Sequence, residues 1–113
     1  MACLFCKIAS GEIPAEIIYQ DDEMTAFRDI DPQAPTHILI IPSQHIETLN
    51  ALDPSHAELI GNMTLAAARI AASEGIQQQG YRLVMNCNQD GGQTVFHLHM
   101  HLLGGRQMLW PPG

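Results

Sequence analysis

The chain has 113 residues, of which 46% are hydrophobic and only 15% are charged. This length suits one domain with its own core, and the composition excludes a highly charged, disordered chain. The net charge of −7 leaves no basic surface of the kind that nucleic-acid binding requires, and the small charged fraction favours a surface partly hidden in an oligomer.

The N-terminal half of the sequence predicts a short helix followed by three strands. Residues 4–10 are typical of a helical turn, and Gly11 ends it. Strands over 16–19 and 24–29 flank a polar turn, as in a hairpin. The unbroken apolar run 36–42 predicts a strand that is buried on both faces.

The C-terminal half predicts one long helix and two further strands. Asp53 and Pro54 have the residue types of an N-cap and a first helical position, and apolar side chains then recur at helical spacing for about 22 residues, up to Gly75. Strands follow over 81–87 and 95–103, with a polar loop between them. The fold class predicted is α+β, with a mostly antiparallel sheet of about five strands, one long helix and one short helix.

The cellular location is suggested by two properties of the sequence. No apolar run reaches the roughly 18 residues that cross a bilayer, and the first residues lack the pattern of a secretory signal peptide. We therefore expect a cytoplasmic protein, in which Cys3, Cys6 and Cys87 are thiols or metal ligands rather than disulfides.

The most informative segment alternates His97, His99 and His101 with apolar residues. Strand positions two apart share a face, so the three imidazoles should lie on one side and the apolar residues should face the core. Such positions are about 6.6 Å apart, so the three rings cannot converge on one zinc ion. A row of this kind suits a ligand with several oxygens, such as a phosphate, and a neutral imidazole can attack phosphorus. A solvated strand face that happens to use histidine is the alternative.

The chain resembles the histidine triad family, whose signature is His-x-His-x-His followed by two apolar residues. It is most similar to the Hint branch, and beyond the histidines the resemblance is carried by the segments 11–15, 29–37, 90–97 and 103–113. The resemblance implies a single domain over 1–113, paired into a homodimer with one ten-stranded sheet and with the tail 106–113 at the interface. It also implies hydrolysis of purine nucleoside phosphoramidates, such as adenosine 5′-phosphoramidate, to the monophosphate and an amine, with no organic cofactor.

The resemblance assigns roles to individual residues. It makes His99 the nucleophile that forms a nucleotidyl-histidine intermediate, His101 a donor to a phosphate oxygen and the His97 carbonyl a support for His99. Thr94 stands where the branch usually has serine, and its hydroxyl can serve the leaving nitrogen or a phosphate oxygen. His37 is expected in a supporting role. The residues expected to contact the nucleotide are Asp29, Ile30, Asn86, Gly92, Gln93, Thr94, His99, His101 and Trp110. For Asp29, a plain turn residue before Pro32 is an equal alternative.

A second constellation combines two cysteines with two distant histidines. Cys3, Cys6, His45 and His97 would complete a Cys2His2 tetrahedral zinc site. Some histidine triad relatives carry zinc in this way, whereas many Hint proteins lack the cysteines. Two reduced N-terminal thiols without metal are therefore the alternative to a structural zinc.

Three other functions remain open at this point. The first is a dinucleoside polyphosphate hydrolase of the same family, although the Trp-Pro-Pro-Gly ending at 110–113 favours the Hint branch. The second is a nucleotide-binding regulatory protein in which catalysis is incidental, and the third is a small zinc protein without catalysis. The partners expected are a purine nucleoside monophosphate or phosphoramidate and a second copy of the chain, with no nucleic acid and no membrane.

Overall fold

The computed structural model describes residues 3–113 of the chain. Five strands form one antiparallel sheet in the order β1-β2-β3-β5-β4. The strands are β1 (Ile17–Gln20), β2 (Met24–Arg28), β3 (Thr36–Pro42), β4 (Tyr81–Val84) and β5 (Met100–Gly104). The α-helices are α1 (Leu4–Ser10), α2 (Ala57–Ser73) and α3 (Asn88–Gly91). The predicted α+β class with a five-stranded antiparallel sheet is confirmed.

The helices differ from the prediction at two places. The long helix starts as a 3₁₀ turn at Pro54–His56, where the Asp53 side chain and the His56 ring cap each other's backbone N–H groups. The segment that forms α3 was predicted as a loop, yet it makes one helical turn that ends at Gly92 with a φ of 79°. Among the helices of residues 3–113, none is both long enough and apolar enough to span a membrane.

The last strand begins at Met100 rather than at residue 95. The backbone N–H of Leu98 donates to the carbonyl of Ile46 at 2.6 Å, in the connection after β3, instead of continuing the sheet. His97 and His99 therefore precede the strand, and only His101 lies in it. The alternation still holds for the apolar positions, because the side chain of Leu98 is buried.

The two faces of the sheet are covered by different helices. α2 packs on one face, and the core between them consists of Met24, Ala26, Ile38, Ile40, Met63, Ala66, Ala67, Ile70, Ala71, Ile76, Met100 and Leu102. α1 packs on the other face, where the buried residues are Phe5, Ile8, Phe27, Leu39 and Ile41. Because β3 lies between these layers, all seven of its residues are buried, as the apolar run predicted.

α1 brings both N-terminal cysteines to one turn. The Sγ of Cys3 caps the helix by accepting from the backbone N–H of Cys6 at 3.4 Å. The helix ends at Gly11, whose φ of 86° lies in the left-handed region that glycine adopts without steric cost. This placement directs both thiols toward the segment that precedes β5.

Candidate active site

A cavity of about 420 Å³ opens on the α1 side of the sheet. Its polar wall includes Asp29, His37, Thr94, His99 and His101, and its apolar wall includes Leu4, Phe5, Ile8, Ile13, Phe27, Ile30, Leu39 and Val95. An apolar wall that faces a cluster of polar groups, within a volume of this size, is typical of a site for a small organic molecule.

The structure separates the predicted site residues into two groups. Those that line the cavity are Asp29, Ile30, Thr94, His99 and His101. His97 is fully buried behind it, and the predicted contacts that lie outside the described lining are Asn86, Gly92, Gln93 and Trp110. Two of the three triad rings therefore face the cavity, whereas the strand pattern predicts that all three do.

The loop after β4 uses two of its N–H groups internally. Gly92 and Gln93 donate their backbone N–H groups to carbonyls of α3 at 3.0 Å each. The buried Gln93 side chain donates to the Glu47 carbonyl at 2.8 Å and accepts from the Asn88 N–H at 2.9 Å. Gln93 therefore holds the loop together, and the exposed Thr94 is the residue that this loop presents to the cavity.

The hydrogen bonds of His99 define its tautomer. Its Nδ1 lies 2.7 Å from the carbonyl oxygen of His97, so Nδ1 carries the proton and donates. Nε2 then keeps its lone pair, as a nucleophile requires. The ring is 8% exposed and packs edge-on against Phe5, with the ring centroids 5.1 Å apart. Its orientation is thus fixed from both sides.

A chain of hydrogen bonds also defines the tautomer of His101. The backbone N–H of Gln33 donates to Nδ1 of His37 at 3.0 Å, so the proton of His37 is on Nε2. That N–H donates to Nδ1 of His101 at 2.9 Å. His101 therefore has its proton on Nε2, a buried atom without a partner among the described residues. A buried N–H beside the cavity is suited to an anionic oxygen.

Burial keeps these two rings neutral. It lowers the pKa of His101 to about 4, and a positive charge on the neighbouring His99 or His37 ring would act in the same direction. Burial also lowers the pKa of His37, against the opposing effect of Asp29 and Asp31. At neutral pH both rings therefore have one proton each, as the hydrogen-bond chain requires.

We expect the His101 ring to titrate at about pH 4. Since this lies below the ordinary value of 6.5, the unfolded chain takes up the proton more readily than the folded one. The contribution of His101 to stability is then complete above about pH 6.5 and is lost as the pH falls toward 4. Imidazole 15N shifts measured against pH would give the midpoint of the His101 titration. In urea unfolding, the His101→Gln variant should lose less stability between pH 7 and 5 than the wild type. A midpoint near 6.5 would contradict this.

Asp29, His37 and His101 are close enough together to suggest a metal site. The proton positions do not fit one. A metal ion on Nε2 of His37 would require the proton on Nδ1, where it would face the N–H of Gln33. Asp29 Oδ2 lies 3.5 Å from that Nε2, so the three side chains form a hydrogen-bonding group rather than a ligand set.

The structure brings together all four residues of the predicted Cys2His2 cluster. One donor atom from each of Cys3, Cys6, His45 and His97 lies within 4.8 Å of the others. The two Nδ1 atoms of the histidines are 3.2 Å apart, and three Sγ to Nδ1 distances are 3.4, 3.4 and 3.6 Å. A tetrahedral zinc site with bonds of about 2.0–2.3 Å has edges of about 3.3–3.8 Å. The spacing therefore suits a zinc ion.

The tautomer of His97 also fits a metal ligand. Its Nε2 lies 2.9 Å from the carbonyl oxygen of Pro42, so Nε2–H donates there and the lone pair is on Nδ1, facing the cysteines. Burial lowers the pKa of this ring, which favours the neutral form that binds metal. The donor set, its spacing and the tautomer of His97 are compatible with a zinc site.

Apart from Ile30, the residues of the apolar wall had no predicted role in the site. Phe5 and Ile8 of α1 contribute to it, together with Leu39 of β3. The signal for the helix was present, since Phe5 and Ile8 are three residues apart and share one helical face. The contribution of Leu39 depends on the pairing of β3 with β5, where it lies opposite His101.

Comparison with known proteins gives consistent matches over nearly the whole chain. A family model described as HIT domain matches residues 10–108. The chain is 58% identical to the purine nucleoside phosphoramidase of Escherichia coli (strain K12) over 105 residues, which are 93% of this chain and 88% of that protein. It is 54% identical to an uncharacterized HIT-like protein of Synechococcus elongatus over 97% of this chain and 96% of that one.

Solved structures are also similar to the chain. A HIT family hydrolase from Legionella pneumophila Philadelphia 1 has a TM-score of 0.98 at 57% identity, covering 99% of this chain and 100% of that chain. A zinc-bound histidine triad family protein from Mycobacterium smegmatis has a TM-score of 0.82 at 35% identity, covering 94% of this chain and 76% of that chain. Sequence and fold therefore point to the same family.

Proposed function

The chain belongs to the HIT domain family, and from this membership we propose that it hydrolyses purine nucleoside phosphoramidates to a nucleoside monophosphate and an amine. The observation that carries the proposal is His99, a ring with its Nε2 lone pair free at the wall of a cavity. The similarity to a relative named purine nucleoside phosphoramidase supports the substrate class.

In the proposed first step, Nε2 of His99 attacks phosphorus. A bond forms between this nitrogen and phosphorus, and the bond between phosphorus and the amine nitrogen breaks. The His99 ring becomes positively charged, which the His97 carbonyl at 2.7 Å stabilises through Nδ1–H. The Thr94 hydroxyl relays a proton from water to the leaving nitrogen, which departs as the neutral amine, and Nε2–H of His101 donates to a phosphate oxygen.

In the second step, water attacks phosphorus, the bond to His99 breaks, and one proton of that water returns to solvent, which balances the proton taken up by the amine. The products are the nucleoside monophosphate and the regenerated neutral ring. The division of one displacement into two is the advantage of covalent catalysis. Because His101 remains neutral, it can donate in both steps without a change of charge.

We propose that the nucleoside lies along the rest of the cavity. Asp29 would accept from the ribose hydroxyls, and the almost fully exposed Ile30 would pack on the base. Asn86, Gly92 and Gln93 are proposed to act through the loop that presents Thr94. The hydrogen bonds of Gln93 support this.

We also propose a structural zinc ion on Cys3, Cys6, His45 and His97. When bound, it would join α1 to the connection after β3 and to the segment before β5. The donor spacing supports this proposal, and so does the similarity to a relative described as zinc-bound. Thiol ligands require a reducing compartment, which favours the cytoplasm as the place where the protein works.

The proposed assembly is a homodimer with a ten-stranded sheet. β4 is one of the two edge strands, β1 being the other, and an edge presents backbone groups that a second copy can pair with. In the tail 106–113, Leu109 and Trp110 are 72% and 81% exposed. Two large apolar side chains of this kind favour a tail that packs on the partner and places Trp110 beside the partner's histidines.

Truncation after Arg106 tests the tail. We expect the truncated dimer to change its selectivity among amine leaving groups more than its affinity for a nucleoside monophosphate, because Trp110 would contact the amine side. A mixed dimer of one truncated chain and one His99→Ala chain has a single working site, on the truncated chain. If tails cross, Trp110 of the His99→Ala chain completes that site and the selectivity is that of the wild type. Selectivity like the fully truncated dimer would exclude the crossing.

A comparison of substrates tests the proposed function. Turnover of adenosine 5′-phosphoramidate should exceed that of diadenosine triphosphate by at least about tenfold in kcat/KM, or about 1.4 kcal/mol. The reverse preference would make the chain a dinucleoside polyphosphate hydrolase. Binding of AMP with turnover of neither substrate would indicate a regulatory nucleotide-binding protein.

A further inference from the structure

His97 connects two neighbouring sites. Its Nδ1 lies within 3.6 Å of donor atoms from Cys3, Cys6 and His45, and its carbonyl accepts from Nδ1 of His99 at 2.7 Å. The bond from its Nε2–H to the Pro42 carbonyl fixes the ring between them. A single buried residue thus carries both a metal-ligating atom and the acceptor that orients His99.

The peptide between His97 and Leu98 is held at both of its polar atoms. Its oxygen accepts from His99, and its N–H donates to the carbonyl of Ile46 at 2.6 Å. Ile46 directly follows the ligand His45. The position of this peptide therefore depends on the cluster through two ligands, His97 itself and His45.

Phe5 makes a separate contact between the cluster and the ring of His99. It lies in α1 between Cys3 and Cys6, and it is 5% exposed. Its ring packs edge-on against His97 and His99, with centroid distances of 5.9 and 5.1 Å. The turn that holds the two thiols thus also holds the side chain that limits rotation of His99.

We propose that Phe5 is a positioning residue and that, with the His97–Leu98 peptide, it couples the state of the Cys3/Cys6/His45/His97 cluster to the orientation of His99. The proposal rests on the proposed roles of His99 and of the cluster. When the four ligands close on a metal ion, α1 and the His45–Ile46 segment are fixed, and the Nδ1–H bond of His99 is kept. When the ligands are free, the turn of α1 loosens and the ring rotates more freely. Misplacement of a reacting group by 1 Å can cost about a hundredfold in rate.

The test measures the Nδ1–H proton of His99 in 15N-histidine-labelled protein, without substrate. We expect this proton to exchange slowly with water in the zinc-loaded wild type. Its exchange should be at least about tenfold faster in the chelated wild type, and also in the zinc-loaded Phe5→Leu variant. Ile41→Val is the matched control, because Ile41 is buried in the same apolar layer but lies outside the cavity lining. It should leave the exchange unchanged. In turnover, Phe5→Leu should lower kcat with little change in KM.

Three results would overturn the proposal. These are equal exchange in zinc-loaded and chelated protein, a Phe5→Leu protein that behaves like Ile41→Val, and a chain that binds no zinc. If chelation unfolds the protein, the zinc-loaded Phe5→Leu comparison decides. Because exchange is measured without substrate, failure of this coupling is distinguishable from an absence of phosphoramidate hydrolysis.

Discussion

Replacing His99 with alanine should lower turnover of adenosine 5′-phosphoramidate by about a thousandfold or more. The substitution removes the nitrogen that forms the covalent intermediate, and loss of a nucleophile normally costs several orders of magnitude. Affinity for AMP should change little, since Asp29, Ile30 and His101 still line the cavity. Single-turnover kinetics and AMP titration on the same preparations measure both quantities.

Two further measurements make this result specific. Wild-type protein quenched during turnover should show a nucleotide adduct on His99 by mass spectrometry, and the variant should show none. His56→Ala is a suitable control, because His56 is a histidine in the 3₁₀ turn before α2, away from the cavity. Its activity should match the wild type. If His99→Ala retains more than about a hundredth of the wild-type rate, covalent catalysis by His99 is wrong.

Removal of zinc should lower the melting temperature by about 10 °C or more. A ligand present at a thousand times its Kd stabilises the folded state by about 4 kcal/mol. For a domain of this size, 1 kcal/mol corresponds to a few degrees. Chelation of the wild type should therefore produce a large shift, measured by calorimetry alongside metal analysis that finds one zinc per chain.

The three cysteines provide matched variants for this test. Cys3→Ser combined with Cys6→Ser should abolish zinc binding and make melting insensitive to chelator, whereas Cys87→Ser should behave like the wild type. Zinc affinity should also fall as the pH drops far enough to protonate the thiolates. Unchanged melting of the metal-free wild type would mean that the cluster does not stabilise the fold through metal.

Much of the fold follows from local sequence signals. The apolar run of β3 and the glycine after α1 gave these elements their observed limits. The predicted start of β5 was wrong. Apolar residues continue to alternate with other residues from Phe96 to Leu102, but the backbone N–H of Leu98 leaves the sheet and donates to the carbonyl of Ile46. α3 was missed because the buried side chain of Gln93, not a local propensity, stabilises this turn.

The site could be predicted only in part, because several of its contacts join residues that are far apart in the sequence. The spacing of the histidines identified the chemistry, but period-two alternation alone places His97 beside His99 and His101. Its burial against the cysteines depends on contacts with residues far away in the sequence. The partnership of His37 with His101 likewise requires the register in which Leu39 lies opposite His101, which brings His37 diagonally next to it.

The strand order has a consequence for how the chain folds. The first three strands, β1 to β3, follow one another in sequence and can pair through short loops. Strand β3 pairs with β5 only after a connection of roughly 60 residues is closed, which has an entropic cost. The pair His37–His101 and the pair His45–His97 both span that closure. An early hairpin intermediate or a nascent chain that ends before His97 therefore contains neither site. Catalytic competence and metal affinity would be acquired together, at the late step that joins the two halves of the chain.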